Sequence, residues 1–138
     1  MWISPLFGFY ISQILQEWTS LSLKKELAYW QNMGDCVVNH PSQQDQEEAR
    51  WQDKIIQEEG GEKEVETIYG CADIVTDTKI IEIKRADQWK HALGQVLIYG
   101  RAFPSKEKWL YLFNGQKEDP LLLATTCATF NVKIKWLE

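Results

Sequence analysis

The stretch Gly70-Cys71-Ala72-Asp73-Ile74-Val75, followed by the turn residues Asp77-Thr78 and then by Lys79-Ile80-Ile81-Glu82-Ile83-Lys84-Arg85, decides the fold. Both halves are rich in Val and Ile and are split by turn-forming residues, so they read as two strands of a hairpin. Side chains alternate between the faces of a strand, so Glu82 and Lys84 project from one side while Ile81 and Ile83 point to the other. A further short strand is expected just upstream, over residues 63–69.

Outward from this hairpin, helices and strands alternate. Residues 45–58 read as a helix ended by Gly60-Gly61, a common C-terminal stop. Residues 87–100 read as another, with Asp87 as its N-cap and Trp89, Leu93, Val96 and Leu97 along one apolar stripe. Pro104 closes it. A strand over 108–113, the Asn114-Gly115 turn, a helix over 121–129 and a strand over 131–137 complete the chain. Such alternation indicates an α/β sandwich around a mixed central sheet. Near the N-terminus, Ile11, Ile14, Leu15, Trp18, Leu21, Leu27 and Trp30 fall at helical spacing, which predicts an extra helical segment. Residues 31–44 then read as a loop with a short strand at 36–38. The expectation is one domain over 1–138, with a helical arm at 1–40 that packs or dimerises.

Composition bounds the class. The 138 residues are 44% hydrophobic and include seven Trp, enough apolar surface for one core. Cys36, Cys71 and Cys127 are odd in number and lack close pairing, so they read as small buried hydrophobes of a reducing, cytoplasmic compartment rather than a disulfide or zinc framework. Residues 1–15 lack a basic leader, and their apolar run is shorter than the roughly 18 residues of a membrane span. No membrane association is expected.

A formal charge of −5 argues against nonspecific coating of nucleic acid. The charge is uneven, however. Residues 1–70 carry 5 Lys/Arg against 12 Asp/Glu, and residues 71–138 carry 10 against 8. Lys79, Lys84, Arg85, Lys90, Arg101, Lys106 and Lys108 all lie between the start of the second hairpin strand and the start of the strand at 108–113. From charge alone, a solvated face and a phosphate-facing patch are equally good readings.

Asp73 and Glu82 on neighbouring strands offer the hard oxygen ligands that Mg²⁺ or Mn²⁺ favours. Lys84 beside them suits a group that orients or deprotonates an attacking water and offsets charge on a phosphate. Two carboxylates and a lysine at a metal site form a minimal phosphodiester hydrolase. Alone, D…E-x-K also describes an ordinary solvated hairpin. In the next helix, His91, Gln95 and Tyr99 recur four residues apart on the side away from the apolar stripe, where they suit contacts to substrate.

These residues resemble the PD-(D/E)XK nuclease superfamily. The resemblance covers residues 45–113 and rests on Asp73 in Ala72-Asp73-Ile74, the Glu82-Ile83-Lys84 triplet and the Gln95-x-x-x-Tyr99 element, which is similar to that of the RecB-like and Cas4-like branches. No Pro precedes Asp73, and no iron–sulfur cysteine cluster is present. The resemblance implies a restriction-endonuclease-like αβββαβ core, metal ligation by Asp73 and Glu82, catalysis by Lys84, and substrate binding by Gln95 and Tyr99. Arg85, Lys90 and His91 are further candidates for substrate contact.

The superfamily often adds an acidic residue on the helix before the sheet, and Glu47 and Glu48 are both available. With about 100° per residue and Trp51 at 0°, Ile55 and Ile56 centre the buried stripe near 60°, where Glu48 also falls, while Glu47 lies near −40°. Glu48 is therefore expected to face the sheet and join the metal site, with a salt bridge to a nearby Lys or Arg as the simpler reading. The resulting expectation is a metal-dependent endonuclease acting on DNA, with pairing as a homo-oligomer open to it. An RNA nuclease and a non-catalytic module that binds nucleic acid or protein are the alternatives.

Overall fold

In a computed structural model of the chain, residues 42–138 are described. The helical arm expected at 1–40, with its short strand at 36–38, lies outside them. Ser42 opens α1 (Gln43–Glu59): its hydroxyl accepts from the Asp45 N–H at 3.2 Å, and the Asp45 carboxylate accepts from the Ser42 N–H at 2.7 Å. This reciprocal cap satisfies two donors that the first helical turn leaves free. Gly60, at φ +76°, stops the helix and returns its N–H to the Ile56 carbonyl.

Five strands follow: β1 (Glu62–Thr67), β2 (Gly70–Val75), β3 (Lys79–Arg85), β4 (Glu107–Phe113) and β5 (Val132–Leu137). They form one sheet in chain order, antiparallel at β1–β2 and β2–β3 and parallel at β3–β4 and β4–β5. Each parallel junction needs a crossover. These are α2 (Trp89–Tyr99) and α3 (Pro120–Thr129), the latter capped by Asp119. The protein is thus α/β, with a five-stranded mixed sheet and three helices among the described residues.

Strand alternation divides the core. Ile80, Leu110, Leu112 and Val132 face α2 and α3, where Trp89, Leu93, Val96, Leu123 and Cys127 cover them. Ile74, Ile81, Ile83, Tyr111 and Phe113 face α1 and its buried Ile55. Among the described residues no helix is long and apolar enough to cross a membrane.

Two local expectations are corrected. Asp87 does not cap α2, because a 3-10 turn, Ala86–Gln88, intervenes and the Asp87 carboxylate is instead held by Arg85 through two bonds of 2.7 and 2.8 Å. Tyr99 belongs to the buried stripe of α2, at 3% exposure, rather than to the open side with His91. Ala92 widens the stripe toward it, and Gly70, at φ +135°, leaves room for its ring: a Cβ on Gly70 would lie 2.7 Å from Tyr99 Cε1. Cys127 is free and buried.

Candidate active site

The site is made where the sheet comes apart. β2 and β3 pair only at Ile74↔Ile81 and Val75↔Ile80, although both strands continue beyond that point. On the outer side, the β1–β2 register skips Glu64 and Asp73, and Glu64 takes a left-handed backbone at φ +53°. The faces of β2 change over at the same place: Ala72 packs with the α2 side and Ile74 with the α1 side.

Two carboxyls satisfy the opened backbone. Asp73 Oδ2 accepts from the Ile83 N–H at 2.7 Å, and Glu82 Oε1 accepts from the Asp73 N–H at 3.4 Å. Each acid thus bonds the partner strand where ladder bonds would otherwise run. The arrangement brings the two acids together.

The electrostatics follow from that proximity. Burial raises the Asp73 carboxyl to about 6, against the opposing pull of the Ile83 N–H and of Lys84. Burial also lifts Glu82 well above the ordinary carboxylate range, and the adjacent Asp73 charge lifts it further. Two like charges this close do not both ionise readily, which is why both carboxyls are held above their ordinary range.

Lys84 and Glu48 complete the group. Glu48 lies on the buried side of α1 at 9% exposure, as the helical phase predicts, while Glu47 is more open. Its carboxylate meets Lys84 Nζ at 3.3 Å, so the simpler expectation of a salt bridge is realised, and the partner is the lysine of the E-x-K triplet. Gln44 Nε2 also donates to Glu48 at 3.1 Å and to Gln88 at 2.8 Å, which ties the start of α1 to the turn after β3. Lys84 shares a strand face with Ile80 and Glu82, whereas α1 covers the other face. Their contact is made at the level where β2 and β3 have parted.

Gln95 Nε2 donates to the Tyr99 hydroxyl at 3.4 Å, and its Oε1 is buried without a hydrogen-bond partner among the described residues. Lys90 and His91 are exposed on the first turn of α2. The basic residues that stand close together in sequence are divided by the fold. Lys79 and Lys84 sit at opposite ends of β3, about 16 Å apart at 3.3 Å per residue. Lys79 is bound by Glu59, and Lys106 donates to the carbonyls of Thr76 and Asp77 at 2.6 and 2.9 Å. Arg101 lies over the Tyr69 ring. Arg85 is already matched by Asp87.

Gln52, which the sequence pattern does not single out, also belongs here: it is 7% exposed and its Nε2 lies 3.4 Å from Asp73 Oδ1. The phase that selects Glu48 would have found it, since Gln52 falls about 40° from the centre of the buried stripe.

For a divalent cation the donor chemistry fits as a pair. Among the described residues no cluster of three or more His, Cys, Asp or Glu side chains is arranged around one point. Asp73 and Glu82 nonetheless offer two hard carboxylates on neighbouring strands where the sheet opens, and Mg²⁺ commonly takes one or two carboxylates with water and phosphate completing its shell.

No family model and no solved structure matches the chain. It is similar to three longer proteins of Acanthamoeba polyphaga mimivirus. With KilA-N domain-containing protein L33 it shares 38% identity over 134 residues, covering 97% of this chain and 53% of that one. With KilA-N domain-containing protein R878 the identity is 34% over 141 residues, covering 97% and 37%. With KilA-N domain-containing protein L32 it is 41% over 99 residues, covering 72% and 26%. The chain thus spans about half of the first and less of the others.

Proposed function

We propose that this chain is a metal-dependent phosphodiester hydrolase of the PD-(D/E)XK type, acting on DNA. The observation that carries the reading is the Asp73–Glu82 carboxyl pair in the opening between β2 and β3, with Lys84 on the same strand as Glu82. The order α1, β1, β2, β3, α2, β4 supports it, being the αβββαβ order of the restriction-endonuclease-like core. The curated relatives are named for a KilA-N domain, and we infer that this chain supplies the hydrolytic part of proteins of that build.

In this reading Asp73 and Glu82 would hold Mg²⁺ or Mn²⁺. Bound there, the cation supplies Lewis acidity at a phosphoryl oxygen. Lys84 Nζ orients the attacking water and offsets the negative charge that grows on phosphorus-bound oxygens. Glu48 keeps the Lys84 ammonium in place and joins the cation site only by giving up that partner. Lys90, His91 and Gln95 suit contacts to the nucleic-acid strand from α2, and Tyr99 acts from beneath through Gln95. Hydrolysis adds water across one P–O bond and leaves a phosphomonoester and an alcohol.

A reading from another class, a nuclease-like fold that binds nucleic acid or protein without cutting, has one observation in its favour: Lys84 is engaged by Glu48. Incubation with Mg²⁺ or Mn²⁺ and a panel of single-stranded, duplex, branched and RNA substrates separates the two. Metal-dependent cleavage that EDTA abolishes supports the hydrolase. Binding of the same substrates with no cleavage in either metal contradicts it, and a preference for the RNA arm overturns DNA as the substrate.

A further inference from the structure

Among the described residues three polar or charged side chains are buried: Glu48, Gln52 and Glu82. The proposed mechanism uses Glu48 and Glu82 and leaves Gln52 without a role. Gln52 follows Glu48 by one helical turn, so both side chains leave α1 in nearly the same direction. A buried amide on an apolar stripe is costly unless it is hydrogen-bonded. An apolar residue would pack α1 against Ile74 and Ile81 without that cost, so what the amide touches is informative.

It touches Asp73. Gln52 Nε2 lies 3.4 Å from Asp73 Oδ1, while the Ile83 N–H holds Asp73 Oδ2 at 2.7 Å. One oxygen is therefore addressed from the sheet and the other from the helix, which fixes the plane of the carboxylate. The donor chemistry suits a cation site. A lysine here would put a positive charge beside the metal, whereas an amide donates a hydrogen and brings no charge.

We propose that Gln52 is a positioning residue for the metal site, orienting the Asp73 carboxylate so that it and Glu82 face one cation. The inference rests on the metal-site reading and extends it to a residue outside the D…E-x-K pattern. Loss of a partner that orients a metal ligand typically weakens metal affinity by about 10–100-fold. Gln52→Met has similar length, suits a helix and cannot donate, so it removes the bond and keeps the packing.

The test is isothermal calorimetry of Mn²⁺ binding to wild type and Gln52→Met, with thermal unfolding of both in EDTA. The expected result is Mn²⁺ affinity about 10–100-fold weaker in Gln52→Met, with unfolding in EDTA unchanged or shifted upward. Equal affinity in the two proteins overturns the proposal, and a lowered melting temperature with equal affinity assigns Gln52 to the fold alone. If wild type itself binds no Mn²⁺, the metal-site reading fails and takes this one with it. Should Gln52→Met not fold, the side-chain amide resonances of Gln52 in wild type decide the matter. A shift on Mg²⁺ addition larger than that of Gln44, two turns away, supports the proposal, and an unmoved Gln52 amide in metal-loaded protein contradicts it.

Discussion

At the start of β3, Lys79 donates to Glu59 at 2.8 Å and the Tyr111 hydroxyl donates to the same carboxylate at 2.7 Å, with Lys135 Nζ at 3.8 Å. Farther along the strand, Glu82 lies beside a second acid, Asp73, from whose N–H it accepts, and Lys84 is taken by a third, Glu48. Both clusters combine carboxylates with lysine in partly buried surroundings, yet the first is matched within the protein and the second is not. Their titration directions reflect this. Glu59 is pushed up by burial, but Lys79 and Tyr111 outweigh it and hold its carboxyl below the ordinary range. Asp73 and Glu82 are held above theirs. An ion pair that is complete serves the fold, and two buried carboxyls set side by side have room for a cation that the fold does not supply.

The sharpest way to break the comparison is to disarm each end. Asp73→Asn, Glu82→Gln and Lys84→Ala should each lower metal-dependent cleavage by orders of magnitude while the protein still folds. Glu59→Gln and Lys79→Ala, in the matched cluster, should leave cleavage within a few-fold. A side-by-side cleavage assay in Mg²⁺ checks this. An active Glu82→Gln, or a Lys79→Ala as dead as Lys84→Ala, breaks the distinction.

The next contrast is in stability against pH, measured by denaturant unfolding in EDTA between pH 4 and 9. Folding raises Asp73 from 3.8 to about 6, so the folded state holds that proton more tightly than the unfolded chain. The corresponding stability is complete below the ordinary carboxylate range and is lost as pH rises through about 6. Glu82, raised further, extends the loss to higher pH. Glu59 works with the opposite sign: its contribution is present above its ordinary value and disappears as pH falls through its lowered one. Glu82→Gln should therefore flatten the decline at neutral and alkaline pH, and Glu59→Gln should flatten the loss at the acid end. An unchanged profile in Glu82→Gln would show that the acid pair carries no such strain.

The smallest effect concerns the basic residues. Lys90 is exposed on the first turn of α2, while Arg85 is already bound by Asp87. Lys90→Glu should weaken DNA binding several-fold and reduce its salt dependence, and Arg85→Ala should do less. Fluorescence anisotropy at low and high salt measures both, and equal effects of the two variants would remove the distinction.

These contrasts also show which parts of the molecule a linear reading reaches. The hairpin with Asp73, Glu82 and Lys84 was legible because strand alternation and turn residues act over a few positions. The direction of Glu48 was legible because helical phase does. The parting of β2 from β3 was not, since it depends on a side chain, Asp73, replacing a ladder acceptor on the neighbouring strand. Nor was the Glu59–Lys79–Tyr111 cluster, whose members come from α1, β3 and β4. Tyr99 was assigned to the open side of α2 because the space beneath Gly70 is a tertiary feature. The seven basic residues are close in sequence, but the antiparallel turn and the α2 crossover send them to different ends of the sheet.

The central claim, that Asp73 and Glu82 form a cation site the fold leaves unmatched, is tested most directly by electron paramagnetic resonance of Mn²⁺ titrated into the metal-free protein. The six-line signal of free Mn²⁺ should be lost on addition to wild type and to Glu59→Gln, and should persist with Glu82→Gln. Equal loss of the signal with Glu82→Gln, or none with wild type, would contradict the claim.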